Sequence, residues 1–282
     1  MKTMEKNTYA KSDADLRSLM IEIRKDIVRM TAAAQSGHPG GSLSAVEILT
    51  ALYFRIMRYD AKNPKWEDRD RFILSKGHAT PVYYSVLAHA GFFPADQLLS
   101  FRKLGSPLQG HPDMRRIPAV EASTGSLGQG LSIGIGTALA GRFSKKDYYS
   151  YVLMSDGEMD EGQTWEAAAF AAHHKLDRLI LIVDCNQFQL SDSTEKILNM
   201  EPLADKWRAF HWETIEMDGH NLEAVTKALE AAKKVRGKPI VIIARTVKGK
   251  GVSFMENNNH FHGVAPTKDE EARALKELDS KR

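Results

Sequence analysis

The residues that could do chemistry in this chain gather where apolar runs stop. Tyr151-Val-Leu-Met-Ser155 runs into Asp156-Gly157, and Arg178-Leu-Ile-Leu-Ile-Val183 runs into Asp184-Cys185-Asn186. Asp156 brings a carboxylate, Asn186 an amide oxygen, and the backbone carbonyl just past Asn186 a third oxygen. An all-oxygen set without His or Cys suits a hard cation such as Mg²⁺ or Ca²⁺. Mg²⁺ is seldom caged by protein alone and completes its shell with water and phosphate. Gly157 lets the backbone approach a phosphate, and its N–H can donate to one. The pattern reads as metal plus diphosphate, although Asp-Gly after a strand is, taken alone, also a common turn. A second group is four histidines, His38, His78, His111 and His262, each following Gly or Phe in a separate segment. Imidazole gains and loses its proton near working pH, which suits proton transfer. No two of them have the close spacing of a zinc site.

Elements must carry these groups to one place. Between the two apolar runs lies Ala-rich 164–174, long enough for one crossover helix. A right-handed β-α-β unit puts both polar ends on the same sheet edge, and open α/β sheets bind ligands at that edge. Apolar spacing at Leu16, Leu19, Ile23, Ile27 and Met30 predicts an amphipathic helix over 13–35, with Gly37 available to end it. Ser44-Ala-Val-Glu47 has the form of a capping box. Residues 71–75 predict a strand ending in Lys76-Gly-His78, and Thr80-Pro81 a helix start closed by Gly91. The connection 92–120 is dotted with Pro and Gly, and a stretch this long without periodicity is usually functional. Gly-rich 124–130 leads into a helix over 131–142, where Gly130 and Gly134 share one bare face. Lacking the G-x-G-x-x-G order after a strand, 124–130 is a poor dinucleotide loop. Further strands are expected at 149–155, 179–184, 213–217 and 239–245, further helices at 162–174, 200–209 and 221–235, and a surface helix at 267–282. The fold class is α/β, a mostly parallel sheet with helices on both faces, in a single domain over 1–282.

Composition sets the bounds. The chain has 282 residues, 43% of them hydrophobic and 27% charged, enough to bury a large core. Lys+Arg 39 against Asp+Glu 36 leaves +3, interspersed with acids, which gives no reason to expect nucleic acid. Cys185 is the one cysteine, which rules out an intrachain disulfide framework and fits a reducing, cytoplasmic compartment. Met1-Lys-Thr-Met-Glu-Lys-Asn7 has no apolar signal core, and no apolar run approaches about 18 residues, so neither secretion nor a membrane span is expected.

Asp-Gly followed by Asn at the end of the next strand resembles the thiamine diphosphate (ThDP) binding motif. Ser36-Gly-His-Pro-Gly40, Asp70-Arg-Phe-Ile-Leu-Ser-Lys-Gly-His-Ala79, Gly110-His-Pro112, Thr124-Gly-Ser-Leu-Gly-Gln-Gly130, Thr246-Val-Lys-Gly-Lys-Gly251 and His262-Gly263 resemble, in order, the N-terminal half of transketolase. That resemblance implies ThDP with Mg²⁺ or Ca²⁺ as cofactors, and a metal held by Asp156, Asn186 and the carbonyl of Phe188. It places Gly157, Glu158, Lys248, His78 and His262 at the diphosphate end and Gly125, Ser126 and Leu127 at the aminopyrimidine end. It makes His38, His78, His111 and His262 catalytic residues around the sugar, and Glu161 a subunit contact. Family members usually have Gly where Ser155 stands. No match to the family's second half is present, so the resemblance implies a separate C-terminal, pyrimidine-binding subunit, an assembly of two such chains with two partners, and sugar phosphate substrates. Two alternatives are the α-type subunit of a ThDP-dependent 2-oxo-acid dehydrogenase and a chain that binds cofactor without catalysis.

Overall fold

Apolar segments that alternate with helices line up as one parallel sheet in a computed structural model, which describes residues 12–281. The strands are β1 (Arg71–Leu74), β2 (Ser150–Ser155), β3 (Leu179–Cys185), β4 (Glu213–Asp218) and β5 (Ile240–Arg245), ordered β1-β2-β3-β5-β4. Every pairing is parallel, with Ser155 opposite Asp184 and Asp184 opposite Ala244. β2 and β3 are buried along their whole length, so both faces must be covered.

Alternate residues go to opposite sides. Tyr151, Leu153, Ile180, Ile182, Ile240 and Ile242 enter one core, closed by α1 (Asp13–Ala34), α2 (Pro39–Leu43), α3 (Val46–Ala51), α4 (Thr80–His89), α9 (Leu222–Ala232) and α10 (Lys268–Asp279). Val152, Met154, Leu181, Val183, Val241 and Ile243 enter the other, closed by α5 (Gln129–Phe143), α6 (Gly162–His173) and α8 (Leu203–Ala209). A short α7 (Thr194–Ile197) buries none of its residues. Trp165 belongs to the second core, its ring against Trp207 and Phe210.

The bare glycine face of α5 packs against the sheet. A Cβ on Gly130 would lie 2.4 Å from Ser75 Cβ, and one on Gly134 2.3 Å from Val152 Cγ2. The helix backbone therefore rests directly on the sheet. Gly134→Ala is expected to overpack this contact, costing about 1–3 kcal/mol and lowering the melting temperature by several degrees. Gly136→Ala, which meets open space, is the control and should melt like the native chain. Equal melts for the two would remove the close-packing argument.

Two local expectations change. The first helix ends on Gln35 in the left-handed region (φ 48), before Gly37. Ser44-Ala-Val-Glu47 is not a capping box: α3 starts at Val46 with no side-chain cap. Ser44 donates to Asp184 at 2.6 Å, and Glu47 pairs with Arg24 and His220. Tertiary partners took both side chains because the whole segment is buried. The tail helix ends at Asp279. Residues 1–11, including the Met1–Asn7 stretch, lie outside the described residues, as does Arg282. Among the described residues no helix is long and apolar enough to cross a membrane.

Candidate functional site

A parallel sheet puts all its strand tips at one edge, and here they deliver the residues singled out above. β1 leads to Lys76-Gly-His78, β2 to Asp156-Gly157, β3 to Asn186 and β5 to Thr246-Val-Lys248. Segments from elsewhere close over them: 36–41 between α1 and α3, the 92–120 connection with His111, the turn before α5, and Asn259–His262.

Asp156 is 7% exposed. Its Oδ1 accepts from the Gly157 N–H at 3.0 Å and its Oδ2 from the Gln187 N–H at 2.6 Å, so the β2 and β3 tips are clasped together. Burial, and then the nearby Asp184 carboxylate, push the Asp156 carboxyl up to about 7. Asn186 Oδ1 accepts from the Phe188 N–H at 3.2 Å, which curls the chain so that Phe188 follows directly on the tip. Among the described residues no group of three or more His, Cys, Asp or Glu converges as a metal site does. The oxygen set of Asp156, Asn186 and Phe188 is of a different kind.

Lys248 is buried, and its Nζ donates to His262 Nδ1 at 2.7 Å and Asn259 Oδ1 at 2.8 Å. Burial and the neighbouring Lys76 ammonium press its pKa down to about 7. The His262 imidazole is held down to about 3 by burial and then by Lys248. The His38, His78 and His262 rings cluster with centroids 5.2 to 5.6 Å apart, and His111 lies 6.5 Å from His38. Burial lowers His78 well below its ordinary value, helped by Lys76, and lowers His111, helped by Arg102. All four imidazoles are therefore neutral at neutral pH and can accept or donate a hydrogen bond.

Gly77 and Gly125 show why glycine is needed here. A Cβ on Gly77 would sit 2.8 Å from the Gly125 nitrogen, and one on Gly125 (φ 140) 2.7 Å from the His111 ring. The backbones stack, and His111 lies on Gly125. Ser126 is exposed and Leu127 half-buried beside it. Glu161 is exposed at the start of α6.

Glu158 departs from the expected cofactor contact. Its carboxylate is fully buried and accepts from the Ser75 hydroxyl, the Gly128 N–H at 2.9 Å and the Ser155 N–H at 2.9 Å. A side chain taken up by three interior donors fastens the β1 and β2 tips to the turn before α5. Ser155 supplies one of those donors, and a glycine N–H would serve as well.

Sequence reasoning missed the hub beneath the site. Asp184 is completely buried, paired with the equally buried Lys76, and also accepts from Ser44, Thr246 and the Asn186 amide. Lys76 also donates to the Gly41 carbonyl at 2.9 Å. These cationic and hydroxyl donors hold the Asp184 carboxyl below its usual range despite the burial. The one signal was parity, since Asp184 stands two residues before Asn186, which lies just past the end of the same strand. Beside Asp156, a cavity of about 270 Å³ is lined by Cys185, Gln187, Phe188, Met200 and Leu203.

The chain matches the family described as transketolase, thiamine diphosphate binding domain, over residues 17–279. It is 44% identical to a "6-deoxy-6-sulfo-D-fructose transketolase subunit SqwG" of a Clostridium species, over 94% of this chain and 96% of that one. It is also 44% identical to a subunit of the apulose-4-phosphate transketolase of Actinobacillus succinogenes, over 96% of this chain and 99% of that one. The crystal structure of transketolase from Campylobacter jejuni superposes with a TM-score of 0.89 at 33% identity, covering 95% of this chain and 43% of that one.

Proposed function

The chain belongs to the transketolase family through its thiamine diphosphate binding domain, and from that premise we propose that it is the diphosphate-binding subunit of a two-chain transketolase. Its substrates are sugar phosphates: a two-carbon ketol unit moves from a ketose, which is left as an aldose two carbons shorter, to an aldose, which becomes the new ketose. Near full-length relatives that are named as subunits support the two-chain reading. The whole chain acts as one diphosphate-binding domain, and two copies with two pyrimidine-binding partners make a heterotetramer. Exposed Glu161, and Ile197 and Leu198 at the unburied α7, suit a face that a partner covers. The lone Cys185 suits a reducing, cytoplasmic setting. The 2-oxo-acid dehydrogenase reading drops behind, since the relatives are transketolases.

One observation carries the cofactor assignment. Asp156 is a buried carboxylate whose polar partners are backbone N–H groups, and Lys248 a buried ammonium whose partners are neutral. Among the described residues neither makes an ion pair, and burial with a like charge nearby has moved the proton affinity of each toward neutrality. A divalent cation answers the first and a diphosphate the second. Mg²⁺ or Ca²⁺ is held by Asp156, Asn186 and the Phe188 carbonyl. Lys248, His78 and His262 would meet the diphosphate, which Gly157 would let approach the backbone although its N–H here donates to Asp156; Gly125, Ser126 and Leu127 would line the aminopyrimidine end.

ThDP, when bound, supplies the carbon nucleophile of the reaction. The protein's part is orientation and proton handling. Neutral His38, His78, His111 and His262 hydrogen-bond the sugar hydroxyls and can move a proton between substrate oxygens. Imidazolium at these positions would repel Lys248 and Arg102, which is why burial and cationic neighbours keep them neutral. The test is donor choice. With partner chain, ThDP and Mg²⁺ present, a ketose phosphate should be consumed and pyruvate left untouched. Pyruvate decarboxylation without ketol transfer would return the 2-oxo-acid reading.

A further inference from the structure

The 92–120 connection brings a second group to the site besides His111. Arg102 takes a left-handed backbone conformation (φ 58), uncommon for a residue with a side chain. Its guanidinium lies flat on Gly110, where a Cβ would be 2.8 Å from Cζ, Nε and Nη2. Nη1 donates to Ser36 Oγ at 2.8 Å, and Nη2 lies 3.5 Å from His38 Nδ1. Nε is buried with no acceptor, and among the described residues no carboxylate pairs with this side chain. Half-buried over the Phe101 ring and without an ion pair, this guanidinium has donor capacity to spare for His38.

We propose that Arg102 is a positioning residue that fixes the proton of His38 on Nε2. Guanidinium cannot lose a proton and can only donate. His38 Nδ1 facing it must therefore offer its lone pair, which leaves the ring proton on Nε2, the nitrogen turned toward Gly263. Lys248 Nζ lies 2.7 Å from Nδ1 of His262 and, as an ammonium, makes the same demand on that ring. The charge adds to the bond. His38 is lowered to about 4 by burial, then Arg102, His111 and Lys248, with the His78 and His262 rings also facing it. Gly110 acquires a reason as well, since any side chain there would lift Arg102 off its seat. The proposal rests on the transketolase reading only in calling the neighbouring space a sugar site.

The test is NMR of His38 in the full chain, its ring signals assigned by their loss in His38→Gln. The native ring should be the neutral Nε2–H form, titrating well below the ordinary value of about 6.5. Arg102→Gln should raise the midpoint by about one unit or more and admit the other tautomer; Arg102→Lys should keep it low. Gly110→Ala should act like Arg102→Gln without touching the arginine, and carries the test if Arg102→Gln does not fold. In the assembled enzyme, the ratio of kcat at pH 5 to that at pH 8 should fall about twofold in Arg102→Gln, as a midpoint moved from about 4 to about 5 leaves about half of His38 protonated at pH 5. An unchanged midpoint and tautomer in both Arg102→Gln and Gly110→Ala would overturn the proposal. Absence of ketol transfer in every sample would count against the transketolase reading and leave the NMR result standing.

Discussion

Mixed with its partner chain, ThDP and Mg²⁺, this protein is expected to pass from no measurable ketol transfer to turnover of at least about 1 per second, a rise of three or more orders of magnitude. The chain spans about two fifths of the transketolase from Campylobacter jejuni that it superposes on, 43% of that chain. Its strand tips bring Asp156, Asn186, Lys248 and the histidines to one edge, on a side where Ser126 and Glu161 stand exposed. On the proposed reading the aminopyrimidine end lies beside exposed Ser126, where another polypeptide would exclude water and position the ring. Measured by coupled assay, transfer should scale with added partner and saturate at equal molar amounts. Comparable rates from the chain alone would refute the two-chain arrangement.

The second large effect is at Asp156. Its carboxyl is raised to about 7 in the folded chain from an ordinary value near 4. A raised folded value means that the protonated form is favoured by folding. That stabilisation is full below about pH 4 and is lost as the pH climbs through 7. The ligand-free native chain should therefore weaken between pH 4 and 7, by up to a few kcal/mol from this group. Asp156→Asn removes the ionisation, so the variant should melt higher than native at pH 8, the gap closing toward pH 4. Ligand reverses the order. With Mg²⁺ and ThDP at about a hundredfold over Kd, and partner present, the native protein gains about 2.7 kcal/mol, while the variant should gain nothing and show no calorimetric binding. Equal ThDP affinity in the variant would end the metal assignment; identical melting curves without ligand would end the burial argument.

Much of this was legible because parallel strands announce themselves. The runs at Tyr151 and Leu179 are apolar on both faces and stop at polar residues, which fixes the strand, its edge and the ligand end together. Alternation of strands with Ala-rich helices set the layers. What failed was local. Ser44 and Glu47 have capping-box chemistry, but both are buried against distant partners, and tertiary bonds outweigh a cap worth about 1 kcal/mol. Glu158 looked like a ligand group by position, and only the fold shows its carboxylate turned inward onto Gly128 and Ser75. Lys76 and Arg102 could not be read at all. A lysine at a strand end and an arginine in an aperiodic connection are ordinarily solvated, and what singles them out is burial by segments far away in the chain.

The knot around Asp184 has a consequence for how activity can be acquired and lost. Its partners lie 140, 108 and 62 positions away along the chain, at Ser44, Lys76 and Thr246. The shortest stretch that holds them together runs from Ser44 to Thr246, so a nascent chain cannot assemble the cradle before Thr246 has left the ribosome. Competence to grip a cofactor is therefore expected only once these distant segments have come together. A chain still rich in helix but loosened at this point would be blind to its vitamin, which makes cofactor uptake a stringent measure of a completed fold.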